Sequence, residues 1–566
     1  MSTHLDLHLH TNYCPSDEEI GQIRSYPAAE RARLVDIENS LRKLQSTRDE
    51  LAERIAAYDA LVSPARRIPA DLWQEIFVAG LPTYRNCAMS SMEGPLLYGR
   101  ICSGWRAIVI QSPRLWASLH VVEPPTSMFD YRVPPTTYEQ MLAQRLGAVK
   151  LWLERSGQLP LSISYHQEDY SRAWDVDPPP ETATARSVSL LTALIPYASR
   201  WKKLDLQFPI HDRPEAVRVL EGLTPIDVPL LQSFSLNSSD RHWDSEQDEF
   251  ELDFLSFLRS PSLTGLAFNA VGYSKPLLPL LGPVQWSQIT NLNITLAPSD
   301  AVAADVLHVI SGCPALKSLS VNLELVWDNS VVTIPDSDAP AVFCAELRDI
   351  ELNGIQSILS FITCPQLRSL AFGTESQYVV PSTRANVTDP RPILHVLATA
   401  PLLEALYFRG GVSKECFFGV LPAIPPTLQH LEIIDLPASQ VDAELLEAIT
   451  RAAAERLHAL AVLTLHGCDV ECLPVPSLVA FLTSQSQSQY KFRALKTTYT
   501  FPLPETPYDL RAQFAPFMDA GVTVSIKHSP TFALCHYAFA GAKLSAEDEQ
   551  MLRAERAKYQ TVGVLL

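Results

Sequence analysis

The segment ALKSLSVN, residues 315–322, decides how this chain folds. Its apolar side chains Leu316, Leu319 and Val321 follow the order L-x-x-L-x-L, and the last two alternate with serines. That alternation is the period of a β-strand with one buried face. Immediately upstream, DVLHVISGCP at residues 305–314 has apolar side chains at helical spacing and ends in a proline. One helix followed by one strand is therefore the predicted unit of this chain.

The same strand pattern recurs along most of the sequence. Its members are QLPLSISY at 158, WKKLDLQF at 201, LLQSFSLN at 230, SLTGLAFN at 262, QITNLNIT at 288, ALKSLSVN at 315, ELRDIELN at 346, QLRSLAFG at 366, LLEALYFR at 402, TLQHLEII at 427 and ALAVLTLHGC at 459. This is the strand signature of leucine-rich repeats. A unit this small leaves its apolar face open, so neighbouring units must stack. The fold class predicted for residues 158–540 is α/β, an irregular right-handed β/α solenoid. The alternative is an irregular α/β domain whose leucines are ordinary core.

A different pattern lies upstream, between Arg66 and Trp116. RRIPADLWQEIFVAGLP at residues 66–82 predicts one short amphipathic helix. PLLYGRICSGWRAIVIQSPRLW at residues 95–116 predicts a second, with Leu97, Ile101 and Trp105 on one face. Neither helix can bury its apolar face alone, so the two are expected to form a small all-α module.

In their order along the chain, these residues resemble the F-box, a helical motif by which substrate receptors dock on the Skp adaptor of cullin-based ubiquitin ligases. The matching features are Ile68 with Pro69, Leu72, Ile76 with Phe77, Ile101 with Cys102, Trp105 with Arg106, and Leu115 with Trp116. The chain departs from the family in a longer segment between Pro82 and Gly94, and in the size of Trp73.

The resemblance implies an F-box-like domain at residues 64–120 and two roles within it. The residues expected to contact the Skp adaptor are Ile68, Pro69, Leu72, Ile76 and Phe77. Those expected to pack the module are Leu97, Ile101, Trp105, Leu115 and Trp116.

A heptad pattern precedes this module. Its apolar seam consists of Leu34, Ile37, Leu41, Leu44, Leu51 and Ile55. Steps of three and four residues predict a coiled-coil helix over residues 28–63, which Arg48 interrupts with a charge. The seam either pairs with a second copy, giving a homodimer through residues 28–62, or folds back on the chain's own globular part.

The remaining segments complete the domain plan. Residues 1–27 are expected to be a flexible N-terminus, residues 121–157 a linker and a helix, and residues 541–566 a C-terminal helix or tail. The acidic insert DRHWDSEQDEFELD at residues 240–253 is interpreted as a solvated loop or as a contact for a basic partner.

Composition restricts the partners and the compartment. Among 566 residues, 45 basic and 63 acidic side chains give a net charge of −18, which argues against nucleic acid and anionic membranes as partners. No apolar run approaches the roughly 20 residues that span a bilayer, and MSTHLDLHLHTNY at the N-terminus is too polar for a signal peptide. The expected location is cytoplasmic, nuclear or both. The ten cysteines include no CxxC pair and are interpreted as reduced thiols.

The known catalytic motifs are incomplete or absent in this sequence. His8 and His10 are similar to the His-x-His opening of PHP-type metallophosphoesterases, but such a site needs further His and Asp ligands that no companion motif supplies. The sequence contains no G-x-x-x-x-G-K-[ST] phosphate loop, no G-x-S-x-G elbow and no Gly-rich dinucleotide turn. We expect no enzyme activity, no metal and no cofactor.

The F-box resemblance therefore implies an adaptor that docks on the Skp component of a cullin ligase and presents an unknown protein substrate held by the repeats. One alternative is a scaffold, assembled by the coiled coil, with no role in ubiquitin transfer. A metallophosphoesterase is a third. The combination of coiled coil, F-box-like segment and degenerate repeats resembles the expanded F-box families of mushroom-forming fungi.

Overall fold

The computed structural model describes residues 11–25, 28–122, 135–166, 190–208, 214–238, 255–270, 284–296, 302–323, 341–373, 389–410, 412–434, 441–486, 492–499 and 507–528. The chain forms two compact units, residues 1–80 and residues 81–566. The first is helical and the second is an α/β unit built on a parallel sheet. The acidic insert, the predicted C-terminal helix, and His8 and His10 lie outside the described residues.

The first unit begins with helix α1, Asp17–Ser25. The Oγ of Ser16 accepts a hydrogen bond from the backbone N–H of Glu19 at 3.4 Å, and the Ser16 N–H donates to the Glu19 carboxylate at 2.8 Å. This reciprocal pair is a capping box, which satisfies two otherwise unpartnered donors at a helix start. Part of the N-terminus that was expected to be flexible is therefore helical.

Helix α2, Ala28–Val62, is 35 residues long and coincides with the predicted coiled-coil helix. Ser63, which precedes Pro64, has an extended ψ of 129°, because proline disfavours helical backbone in the residue before it. A short 3₁₀ turn, Pro64–Arg67, leads into helix α3, Ala70–Ala79. Within the described ranges, none of the helices combines the length and apolar composition that a bilayer crossing requires.

The second unit contains a 14-stranded sheet in which each strand pairs in parallel with its neighbours in chain order. Its strands are β1 Ser118–Val122, β2 Leu161–His166, β3 Trp201–Gln207, β4 Ser233–Ser238, β5 Gly265–Ala270, β6 Asn291–Leu296, β7 Ser318–Leu323, β9 Asp349–Asn353, β11 Ser369–Gly373, β12 Ala405–Phe408, β13 His430–Ile434, β14 Val462–Cys468, β15 Ala494–Tyr499 and β16 Thr523–His528. The short strands β8, Val342–Phe343, and β10, Ile362–Thr363, pair with each other. A parallel series in strict chain order is consistent with a solenoid.

Helices and 3₁₀ turns connect successive strands. The helical bounds are α4 Tyr98–Ile101, α5 Ser103–Ile110 and α6 Pro135–Arg155, followed by Pro214–Glu221, Val302–Ser311, Arg391–Thr399, Lys414–Val420, Ala443–Glu455, Val475–Ser486 and Pro507–Asp519. Helix Val302–Ser311 buries Val306, Leu307 and Ile310, as its apolar spacing predicts. The strand that follows buries alternate residues. The core is therefore built from one face of each strand and one face of each connecting helix.

The second helix of the F-box-like segment is broken, contrary to the expectation of one helix that carries Leu97, Ile101 and Trp105 on one face. It forms α4 and α5, separated by Cys102 in an extended conformation with φ −156°. The Cys102 Sγ accepts a hydrogen bond from the Trp105 N–H at 3.4 Å and so acts as the N-cap of α5. Ile101 and Trp105 therefore do not share one helical face.

The sheet extends beyond the predicted repeat strands at both ends. Strand β1 lies partly within the segment assigned to the F-box-like domain and pairs along its length with β2. Strands β15 and β16 follow the last predicted strand. In β15, Thr497 occupies a buried position that leucine or another large aliphatic residue fills elsewhere, so the leucine pattern does not identify that strand.

Candidate functional site

Helix α3 carries three of the residues expected to contact an adaptor, Leu72, Ile76 and Phe77. It begins after Pro69, whose φ of −57° and ψ of 153° are extended, and Asp71 lies in its first turn, where a carboxylate interacts favourably with the helix dipole. Leu72 and Ile76 are separated by one turn and so lie on one face. Leu72 is 53% exposed and Ile76 49% exposed.

We name Ile68, Pro69, Leu72 and Ile76 the docking edge. Pro69 is exposed and Ile68 is half-buried. All four side chains are apolar. Leu72 and Ile76, the two that lie on α3, are not buried within the chain. An apolar edge of this kind is suited to burial against another protein.

Phe77 differs from the docking edge, although the same role was expected of it. It is only 2% exposed, and its ring lies 5.4 Å from the ring of Trp73. The Trp73 indole donates a hydrogen bond to the Ala65 carbonyl at 3.3 Å. Phe77 therefore has little side-chain surface to offer a partner, and its contact with Trp73 fastens α3 to the preceding turn.

The residues expected to pack the module lie in the second unit and differ in burial. Leu115 and Trp116 are buried, Leu97 and Trp105 are half-buried, and Ile101 is 58% exposed. Ile101 ends α4, just before the extended Cys102, so it turns away from the core.

Trp116 is held by three different contacts. Its indole N–H donates to the Val109 carbonyl at 2.8 Å, and its ring meets Trp152 edge-on at 4.8 Å between centroids. The Arg155 guanidinium lies 4.7 Å from the Trp116 ring centre, a cation–π distance. Trp116 thus joins α5 to α6 at the start of the sheet.

The long segment between Pro82 and Gly94 is attached to the sheet. The Asn86 side-chain oxygen accepts hydrogen bonds from Ser118 at 2.9 Å and from Ser162 at 2.8 Å, which joins β1 to β2. Glu93 accepts from the Arg85 guanidinium, which lowers the pKa of the Glu93 carboxyl. The segment that departs from the F-box pattern therefore borders the first strands.

The parallel register aligns one side chain from each strand in a row on the sheet face opposite the core. The row runs His120, Ser164, Asp205, Ser235, Ala267, Asn293, Ser320, Glu351, Ala371, Tyr407, Glu432, Thr464, Lys496 and Ser525. Its middle, from Ser235 to Ser320, consists of small uncharged residues. Larger and charged side chains gather from Glu351 to Glu432.

We name Glu351, Tyr407, Arg409, His430 and Glu432 the strand-face cluster. Arg409 lies 3.6 Å from the Glu351 carboxylate and 5.8 Å from the Tyr407 ring centre. His430 lies 3.6 Å from the Glu432 carboxylate, and its ring is 5.3 Å from that of Tyr407. All five side chains are partly buried, so the cluster is held by its neighbours yet reachable from solvent.

The electrostatics of this cluster follow from its contacts. The nearby His430 side chain lowers the pKa of Glu432, with further contributions from His466 and Arg409. Burial lowers the pKa of His466, against the opposing effect of Glu432. Burial also raises the pKa of Tyr407. The cluster thus offers two acidic side chains, a guanidinium and a phenol to a partner.

No residue of this cluster is identified by the sequence pattern. Glu351, Tyr407, His430 and Glu432 lie at variable x positions of L-x-x-L-x-L in strands β9, β12 and β13, and Arg409 directly follows β12, so only the register brings the five together. Among the described residues, no three His, Cys, Asp or Glu side chains are arranged to hold a metal ion.

No family model matches the chain, and no curated protein matches it. Among solved structures, it is similar to a chain from the crystal structure of the Rad7 and Elc1 complex in yeast. The two align with a TM-score of 0.37 and 11% sequence identity, over 79% of this chain and 95% of that chain.

Proposed function

We propose that this protein is a non-catalytic substrate receptor of a cullin-type ubiquitin ligase. Its F-box-like segment binds a Skp-type adaptor through the docking edge, and its strand series holds a protein substrate. The observation that carries the proposal is the exposure of Leu72 and Ile76, at 53% and 49%, on a helix whose neighbouring Phe77 is buried.

The strand series fits the second half of this role as a leucine-rich-repeat solenoid. Leu319 and Val321 of the segment ALKSLSVN are buried, and Ser320 between them faces the other side of β7. Repeated units of this kind produce a long continuous surface, which is the form of binding site that solenoids use for proteins. The strand-face cluster is the most chemically varied part of that surface and is our proposed substrate contact.

The mechanism is proximity. Holding a substrate near a ubiquitin-charged enzyme replaces a bimolecular encounter by an effectively intramolecular one, which raises the local concentration of the acceptor lysine. The receptor supplies binding and orientation, and the reacting groups belong to its partners.

Adaptor binding is tested with purified Skp-type adaptor and the full chain. The variant Pro69→Ala/Leu72→Ala/Ile76→Ala is expected to bind at least about tenfold more weakly, because interface anchors commonly contribute more than 1 kcal/mol each. The matched control is Ile226→Ala/Phe343→Ala/Leu402→Ala, which removes three exposed apolar side chains from the second unit. Equal affinity of both variants would remove the proposal.

A scaffold without any ubiquitin role is the second candidate, favoured by the exposed apolar seam of α2. It predicts assembly through residues 28–62 and no adaptor binding. Deletion of residues 28–62 separates the two functions: a receptor keeps its affinity for the adaptor after the deletion, whereas a scaffold never shows any.

A further inference from the structure

Helix α2 is exposed along its whole described length. The seam residues Leu34, Ile37, Leu41, Leu44, Leu51 and Ile55 are between 49% and 67% exposed. Most of the stability of a protein helix comes from packing an apolar face rather than from helix propensity. A helix of 35 residues with this seam therefore needs a covering surface.

We propose that a second copy of this chain covers the seam, as a parallel, in-register, two-stranded coiled coil through residues 28–62. The available area is sufficient. The 35 residues of α2 form a rod about 52 Å long, and a face about 10 Å wide on each of two helices gives roughly 1,000 Å² of interface, near the lower bound for a specific complex.

The charges beside the seam identify the occupant and its direction. With Leu34 at heptad position a and Ile37 at position d, Arg33 and Arg54 fall at g, and Glu38 and Asp59 fall at e. In a parallel, in-register pair, each g residue faces the e residue of the next heptad on the partner helix. Arg33 therefore faces the second copy's Glu38, and Arg54 faces its Asp59.

The other g and e pairs in this arrangement are uncharged. They are Ser40 with Gln45 and Thr47 with Ala52. The parallel pair thus has only attractive charged contacts, each present twice by symmetry.

Antiparallel pairing loses these contacts, because g then faces g and e faces e. The register that opposes Leu34 to Leu51 brings Arg33 against Arg54. The register that opposes Leu41 to Tyr58 brings Glu38 against Asp59. Like charges at these positions select against a pairing.

A third antiparallel register, with Leu34 opposite Tyr58, places Arg33 beside Leu61 and Arg54 beside Ser40. It retains a single kind of ion pair, Arg31 with Asp59. The parallel pairing has two kinds, so charge complementarity favours it over each antiparallel register.

Arg48 fixes the register. It occupies position a, and its guanidinium donates to the Asp49 carboxylate of its own helix at 2.6 Å and 2.9 Å. In register, the two Arg48 residues share one layer of the seam. A shift by one heptad would set each against Leu41 or Ile55 and disturb two layers, and a lone polar a residue is a known determinant of register.

The consequence for docking rests on the proposed function, whereas the coiled coil does not. Helix α2 ends at Val62 and the docking edge begins at Ile68. A parallel pair brings both docking edges to the same end of the coil, so that one receptor dimer binds two adaptors there.

The test uses the full chain and sedimentation velocity without any adaptor. The wild type is expected to have the mass of two 62.8 kDa chains. Arg33→Glu/Arg54→Glu makes all the charged g and e pairs acidic, and Glu38→Arg/Asp59→Arg makes them basic. Each variant alone is expected to dimerise at least about tenfold more weakly, and an equimolar mixture is expected to recover the heterodimer with wild-type affinity.

The control is Arg42→Glu/Lys43→Glu, which changes the net charge equally at positions b and c, away from the seam, and is expected to dimerise as the wild type does. A wild type that is monomeric at all concentrations overturns the proposal, since the α2 seam is then covered by the chain itself or by another protein. A trimer or tetramer also overturns it. So does a dimer of Arg33→Glu/Arg54→Glu that is as strong as the wild type, which is the result expected for the antiparallel register with Leu34 opposite Tyr58. If the wild type is a dimer of this kind but does not bind the adaptor, only the proposed function is contradicted.

Discussion

The ring of Trp73 lies 5.4 Å from the ring of Phe77, one turn further along α3, while the indole N–H of Trp73 is bonded to the Ala65 carbonyl. The aromatic pair therefore ties α3 to the turn Pro64–Arg67 that precedes the docking edge. Trp73 is the residue at which the chain departs from the F-box pattern. Its size serves to position the helix, which leaves Leu72 and Ile76 as the exposed side of α3.

The two faces of α3 should respond differently to truncation. Phe77→Ala removes a buried ring and is expected to destabilise the fold around α3 by about 3–5 kcal/mol. Leu72→Ala, at a side chain 53% exposed, is expected to change stability by less than about 0.5 kcal/mol. Hydrogen exchange of the α3 amides measures both. Similar protection factors in the two variants would contradict this division of roles.

A buried hydroxyl in strand β15 makes a stabilising substitution available. Thr497 is 1% exposed, and its Oγ1 has no hydrogen-bond partner among the described residues. In the sheet it lies between Leu465 and Ile526. Thr497→Val keeps the shape and removes the unpartnered hydroxyl, so we expect stability to rise by about 1–2 kcal/mol.

Urea denaturation of the full chain tests this expectation. Thr498→Val is the matched control, since Thr498 is only half-buried, and it should change stability by less than about 0.5 kcal/mol. A loss of stability in Thr497→Val would mean that its hydroxyl is satisfied.

Two histidines on the outer sheet face should make stability depend on pH. Burial lowers the pKa of His466 and, together with His166, that of His120, both below the ordinary value of 6.5. As the pH falls through 6.5, the unfolded chain binds protons that the folded chain does not, so stability decreases toward acid pH. We expect a lower melting temperature at pH 5.5 than at pH 7.5.

The variant His120→Asn/His466→Asn is expected to reduce this difference, and His308→Asn, at an exposed position, is expected to leave it unchanged. Glu432 does not interfere in this interval. Its lowered pKa means that its contribution is lost only as the pH falls below the ordinary carboxyl value of 4.5. An undiminished difference in the double variant would exclude the two histidines as its source.

The elements that sequence analysis identified are those whose side chains repeat locally. Leu316, Leu319 and Val321 predict their strand because each lies inside one short segment. Thr497 at a core position of β15 breaks the pattern, so that strand was missed. The extended Cys102 was missed because an apolar spacing cannot distinguish one helix from two helices joined at a cap.

The docking edge and the strand-face cluster were harder to predict from the sequence for a related reason. Ile76 and Phe77 are adjacent apolar residues of one helix, and only tertiary packing decides which is buried. The strand-face cluster combines Glu351 with Arg409, which are distant in sequence and meet only through the parallel register. Such long-range neighbours leave no periodic signal in one chain.

Arg48 offers the sharpest test of how the α2 seam is used. In the proposed coiled coil its two copies share a layer, where their like charges oppose association although each is bonded to its own Asp49. Arg48→Leu replaces this layer by apolar contact and is expected to strengthen dimerisation at least about tenfold, since a polar a residue lowers coiled-coil stability. It is also expected to weaken the preference for one register. Sedimentation velocity measures the first effect, and disulfide formation between cysteines placed at the same position or one heptad apart measures the second. Unchanged affinity would mean that Arg48 faces solvent, and the seam would then lie elsewhere on α2.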